Sequence, residues 1–123
     1  MKVMALDYGS ARTGVAVSDP TGTIARPLGV VERVGSDPGL ARLREVIAEQ
    51  GPDRVVVGLP LTLRGERREQ AEETERFAET LRAAIDCPVE LFDERFTSVL
   101  ADGDDARAAA HLLTTYLEWS RDR

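Results

Sequence analysis

Apolar positions along the chain form two kinds of pattern: short unbroken runs closed by turn residues, and longer stretches spaced three and four apart. Lys2-Val-Met-Ala-Leu6 is the first run, closed by Asp7 and Gly9. A run with no polar alternation is covered on both faces, so it predicts a central strand. Thr13 to Ser18 predicts a second strand after a tight Gly-Ser-Ala-Arg connection, and Asp19-Pro-Thr-Gly22 predicts a turn. Thr23 to Val34 predicts a third extended segment, interrupted by Pro27 and Gly29.

The pattern then changes period. Ser36-Asp-Pro-Gly39 has the composition of a helix cap, and Leu40, Leu43, Val46 and Ile47 recur at helical spacing until Gly51-Pro52. Arg54-Val-Val-Val-Gly58 predicts a buried strand, parallel to the first because a helix intervenes. Ala71, Thr74, Phe77, Ala78, Leu81 and Ile85 mark the apolar stripe of a helix from about Glu66 to Ile85. Pro88 to Phe92 predicts a fifth strand, and a last helix follows Asp104-Asp105 and runs to about Trp119. Three strands, helix, strand, helix, strand, helix predict an α/β fold built on a five-stranded mixed sheet with flanking helices. There is no internal repeat or low-complexity segment.

Length and composition narrow this further. A chain of 123 residues suits one domain spanning 1–123. Its residues are 42% hydrophobic but only 5% aromatic, so Val, Leu, Ile and Ala must fill the core. No run approaches the roughly 20 apolar residues of a membrane span, and a strand at Met1-Lys2 replaces a leader's apolar segment, so a cytoplasmic protein is expected. Cys87 is the single cysteine; its place before Pro88 suits packing better than chemistry. The net charge of −6 argues against broad, charge-driven nucleic-acid binding. The cations are nevertheless almost all arginine, the residue that meets phosphate with a planar fork: Lys2 is the one lysine.

Candidate chemistry lies in the acids at element ends. Asp7 follows the first strand, Asp93-Glu94 the fifth, and Asp104-Asp105 opens the last helix. Parallel strands bring their carboxyl ends to one edge, where open α/β sheets build their sites. Hard cations such as Mg2+ take carboxylate and phosphate oxygens, and two of them can clamp a phosphodiester during hydrolysis. On a helical wheel Asp105 aligns with Ala109, Leu112 and Tyr116, the more apolar line, which aims it at Asp7. Asp104 aligns with Ala108, His111 and Thr115 and suits a helix N-cap. Strand alternation does not separate Asp93 from Glu94, since both faces of a central strand are covered.

Around these acids, Gly9 and Gly14 permit a sharp turn and close approach of backbone to phosphate, with Arg12 beside them. Arg64, Arg67 and Arg68 form a basic cluster after the fourth strand. His111 fits a helix surface, and Tyr116 and Trp119 fit core and edge packing. No serine triad or Walker-type loop is present.

Leu6-Asp-Tyr-Gly-Ser-Ala-Arg-Thr-Gly-Val-Ala-Val-Ser-Asp-Pro20, Val56-Val-Gly-Leu-Pro-Leu61, Glu69-Gln-Ala71 and Phe92-Asp-Glu-Arg-Phe-Thr97, taken together and in order, resemble the YqgF family of Holliday-junction-resolvase-like nucleases. The resemblance runs from about Val3 to Leu117. It implies a ribonuclease-H-like fold and a Mg2+- or Mn2+-dependent nuclease that processes the 5′ end of precursor 16S ribosomal RNA, with branched-DNA resolution as the alternative. It implies Asp7, Glu94 and Asp105 as catalytic and metal-binding residues, Glu94 rather than Asp93 coming from the family pattern. Arg12, Arg64, Arg95 and Thr97 are the expected substrate-binding residues. The expected partner is nucleic acid, either precursor rRNA or branched or single-stranded DNA, and the expected state is a monomer or homodimer.

One departure is large. Between Thr97 and Asp105 the family resemblance implies a helix and a Lys/Arg-rich loop, whereas this chain has only Ser-Val-Leu-Ala-Asp-Gly-Asp. The grip on nucleic acid then falls to another surface, such as Arg64 to Arg68, or to a partner subunit, or activity is weak. Two other classes compete: a non-catalytic nucleic-acid-binding module that kept the fold, and a relative of actin-like ATPases, which also place Asp-x-Gly after a first strand but need two domains.

Overall fold

The computed structural model describes residues 1–61, 64, 65, 68–94 and 105–121. Eight elements follow one another: β1 (Val3–Asp7), β2 (Arg12–Ser18), β3 (Ala25–Glu32), α1 (Asp37–Gln50), β4 (Arg54–Leu59), α2 (Glu69–Ala84), β5 (Val89–Asp93) and α3 (Asp105–Arg121). The strands form one mixed sheet in the order β3-β2-β1-β4-β5. β1 pairs antiparallel with β2 and parallel with β4, and β4 pairs parallel with β5. The most apolar runs, β1 and β4, therefore lie in the interior of the sheet, as unbroken hydrophobicity requires.

Local chemistry sets the boundaries. Ser36 caps α1 by accepting a hydrogen bond from the Gly39 N–H at 3.1 Å, and Pro38 sits in the first turn, where its missing N–H costs nothing. Gly51, at φ 58°, ends the helix and returns its N–H to the Ile47 carbonyl at 2.9 Å. α2 starts at Glu69 rather than at about Glu66, after an extended Arg68 at φ −114°. Glu66 and Arg67 lie outside the described residues, as does Asp104 with its expected cap. β3 is shorter than the segment from Thr23 to Val34 and carries a register shift against Val15 and Ala16. β1 and β5 each end one residue later than expected, so Asp7 and Asp93 are the last paired residues of their strands.

Strand alternation divides the core in two. Met4, Leu6, Val15, Val17, Val55 and Val57 pack on one face with Leu43 and Ile47 of α1 and Phe77 and Leu81 of α2. Val3, Ala5, Ala16 and Val56 pack on the other with Ala109, Leu112, Leu113, Tyr116 and Leu117 of α3. The small residues on the second face let α3 lie close to the sheet. That face carries the site.

Candidate active site

Alternation decides which acids meet. Val3 and Ala5 face α3, so Asp7, two residues on, faces it too. In β5, Glu90 accepts a hydrogen bond from the Tyr116 hydroxyl of α3 at 3.0 Å, and Phe92 packs edge-on against the same ring. Glu94 continues that series, and its N–H donates to the Leu59 carbonyl at 3.2 Å, which holds it in line with the sheet. Leu91 packs with the α1 and α2 side, which gives Asp93 to the opposite face. Asp105 is the first residue of α3. Asp7, Glu94 and Asp105 thus come to one edge of one face, and Asp93 stands apart from that series.

Two glycines make the room. Gly14 is the register partner of Asp7, and a Cβ there would run into the Asp105 carbonyl oxygen, so the first turn of α3 rests directly on β2. The expected role of Gly14 in approaching phosphate gives way to this one: it seats the helix that carries Asp105. Gly9 serves the tight turn, its missing Cβ leaving space for the Arg12 carbonyl. On the other side of Asp7, a Cβ at Gly58 would lie 2.6 Å from Glu94 Oε2 and 2.9 Å from Leu112 Cδ2. Gly58 was not among the expected site residues; its signal was a lone glycine ending a valine run, the mark of a close approach within a strand.

Electrostatics follow from this crowding. Burial, reinforced by the Asp105 charge, pushes the Asp7 carboxyl up to about 6 from its ordinary 3.8. Burial, reinforced by Asp7 and Asp93, pushes Glu94 up to about 7 from 4.5. No hydrogen bond to either carboxylate offsets these effects among the described residues. Asp105 has a cation: Arg12 Nε lies 3.2 Å from its Oδ2. The loop between Asp7 and Arg12 is held on both sides. Thr13 Oγ1 bonds to the Gly9 carbonyl at 3.3 Å, while Tyr8 stacks on Phe77 and donates to Glu73 of α2 at 2.7 Å.

Other expected residues fall elsewhere. Arg64 is exposed in the turn after β4 and pairs with none of the three acids. Arg95, Thr97 and Arg67 lie outside the described residues. His111 is exposed on α3, and Tyr116 is buried while Trp119 packs on it and on Phe92 at the sheet edge. Burial pushes the Cys87 thiol up, away from the reactive thiolate, in keeping with a packing role. Among the described residues no group of three or more His, Cys, Asp or Glu side chains is drawn tightly enough to enclose a metal ion as the chain stands. No described helix is long and apolar enough to cross a membrane.

A family model described as RuvX, Holliday junction resolvase, matches residues 1–119. The chain belongs to this family. It is the family to which the motifs around Asp7, Val56 and Glu94 pointed under the name YqgF. A family relative from Chloroflexus aurantiacus is 51% identical over 100 residues, which are 81% of this chain and 65% of that protein. One from Syntrophomonas wolfei is 36% identical over 133 residues, covering 96% of this chain and 94% of the relative. Both carry the provisional name pre-16S rRNA nuclease. The chain spans just under two thirds of the Chloroflexus protein's length. Because the Syntrophomonas alignment is 133 positions long yet takes in only 96% of 123 residues, this chain lacks more than a dozen positions that the relative has. That agrees with the short connection before Asp105.

Solved structures of similar shape include Thermus thermophilus RuvC in complex with a Holliday junction, 21% identical, with a TM-score of 0.65 over 98% of this chain and 96% of that one. The fowlpox virus resolvase, bound to the same kind of junction, is 11% identical, with a TM-score of 0.62 over 98% of this chain and 99% of that one. At these identities the likeness is one of fold: the family member has the ribonuclease-H-like sheet expected from its strand order.

Proposed function

We propose that this chain is a metal-dependent nuclease that hydrolyses phosphodiester bonds at the site formed by Asp7, Glu94 and Asp105, and that its substrate is the 5′ region of precursor 16S ribosomal RNA. The observation that carries the reading is the gathering of these acids on one face of one sheet edge, two of them half-buried, mutually repelling and, among the described residues, without hydrogen-bond donors. Such a set is unfavourable by itself, because buried charge needs a partner. It suits a hard cation, whose donors are carboxylate oxygens. Asp7, Glu94 and Asp105 would hold Mg2+ or Mn2+, which when bound supplies positive charge opposite the phosphate oxygens.

The protein's own groups do the rest. Asp7 and Glu94 give up the protons that crowding lets them keep near neutral pH, and their carboxylates then orient the reacting centre. Gly14 seats the first turn of α3 beside Asp7, and Gly58 leaves room for the Glu94 carboxylate. Arg12, exposed at the rim, meets a phosphate of the substrate; Arg64, Arg95 and Thr97 extend the contact along the strand. Precursor rRNA as substrate rests on the names carried by the relatives, which also favour action in the cytoplasm, where that RNA is processed. The family description and the junction-bound structures of like fold favour a second reading, cleavage of branched DNA, for which a homodimer would present two sites.

Purified protein with Mg2+ or Mn2+ should be offered precursor 16S rRNA, generic single-stranded RNA and a four-way DNA junction, beside Asp7→Asn. Cleavage near the 5′ end of the rRNA, lost at least about a hundredfold in the variant, is expected. Junction cleavage alone would shift the substrate to DNA. Equal cleavage by Asp7→Asn would overturn the site.

A further inference from the structure

We propose that Arg12 is an exchangeable counter-ion. In the free protein it occupies Asp105, and a substrate phosphate draws it away, so that nucleic acid and divalent cation promote each other's binding. The inference rests on the reading of Asp7, Glu94 and Asp105 as the metal site and goes beyond it by naming what governs its loading.

Four observations carry it. Among the described residues Arg12 is the cation in ion contact with this acid set, and it contacts Asp105 alone. The contact is made through Nε at 3.2 Å to a single carboxylate oxygen. The guanidinium fork is therefore not spent in a bidentate pair. Both partners reach solvent, the Arg12 side chain at 59% and Asp105 at 31%, and ion pairs so exposed are weak and readily exchanged. Finally, among the described residues no three acids are drawn together tightly enough to enclose a metal ion, whereas Asp7 already senses the Asp105 charge.

The place of the pair in the fold makes the exchange local. Arg12 begins β2, Asp105 begins α3, and Gly14 clamps the two backbones together, so the side chains can part without any movement of strand or helix. A phosphate is the natural competitor for Arg12, since its oxygens match the planar fork better than one carboxylate oxygen does. Once Arg12 turns to phosphate, Asp105 is left beside Asp7 with no cation. Three neighbouring carboxylates then raise the demand for a metal. Linkage makes the effect mutual: whatever factor phosphate adds to metal affinity, metal adds to phosphate affinity.

The test is Mn2+ binding by the whole protein, read from the free-ion electron paramagnetic resonance signal, with and without a hydrolysis-resistant 2′-O-methyl RNA oligonucleotide. For the unchanged protein the oligonucleotide should tighten Mn2+ binding at least about fivefold. Arg12→Gln should bind Mn2+ more tightly than the unchanged protein in the absence of RNA, and RNA should add little. Arg12→Lys, which keeps the charge without the fork, should retain part of the enhancement. If Arg12→Gln binds Mn2+ no more tightly without RNA, or keeps the full enhancement, the exchange is overturned. Asp7→Asn separates the two levels: Mn2+ binding that survives this change overturns the metal site itself, whereas its loss beside an unaltered Arg12→Gln overturns the exchange alone.

Discussion

At the scale of the residue, Asp7 and Glu94 are held in a folded environment that favours the neutral acid. Their folded-state values, about 6 and about 7, lie above those of the unfolded chain, so the folded protein binds the extra protons between them. The contribution of these two groups to the stability of the metal-free protein should therefore be full below about pH 4 and fall as pH rises through 6 and 7. The Asp105 charge adds to burial at Asp7, and the Asp7 and Asp93 charges add to it at Glu94. Urea unfolding between about pH 5 and pH 8 should show a loss of roughly 2–4 kcal/mol, discounted for partial solvation. Asp7→Asn should flatten that profile and stabilise the protein at the alkaline end. Mn2+ should reverse the trend, raising Tm more at about pH 8 than at about pH 5. Gly58→Ala probes the same hollow by shape: its Cβ falls 2.6 Å from Glu94 Oε2, the movable end of a side chain. It should disturb Mn2+ affinity and cleavage more than stability, with Tm measured alongside.

At the scale of the element, α3 has two duties that one helix cannot separate. Its apolar stripe closes a whole face of the sheet, and its first residue delivers Asp105. Leu112 links the two, buried in the core and 2.9 Å from where a side chain on Gly58 would begin. Leu112→Ala should cost about 2–5 kcal/mol in urea unfolding and weaken metal binding as well. α1 gives the contrasting case. Ser36→Ala removes the cap to the Gly39 N–H and should cost about 1 kcal/mol while leaving Mn2+ affinity unchanged, since α1 covers the opposite face. The helical line through Asp105, Ala109, Leu112 and Tyr116 was legible in the sequence because an amphipathic stripe has one way to face a core. The start of α2 was not, because its apolar stripe begins only at Ala71 and the charged residues before it mark no boundary.

At the scale of the whole molecule, the balance of charge and the short connection before Asp105 act together. A protein of net charge −6 neutralises few phosphates, and its relatives have positions that it lacks. Its affinity for nucleic acid should be modest and depend only weakly on salt, because the slope of binding against salt counts the phosphates contacted. Fluorescence anisotropy across a salt series checks this; a steep slope would mean an extended basic contact beyond Arg12 and its neighbours. A short segment of the relatives' intervening sequence, grafted between Thr97 and Asp105, should steepen it.

The sequence by itself determined the five strands, the three helices, the parallel pairing of β1 with β4 and the acids that end their elements, because periodicity and turn chemistry are local properties. It also carried the family, through motifs spread from Leu6 to Thr97. Tertiary structure alone decided what depends on a face rather than a position. With both faces of β5 covered, alternation left Asp93 and Glu94 equal until α3 lay on the face shared by Ala5, Phe92 and Tyr116. It decided likewise that Gly14 and Gly58 flank Asp7 from neighbouring strands, and that Arg12 meets Asp105 across nearly a hundred residues of chain. Such contacts are set by register and helix placement, which no stretch of sequence holds within itself.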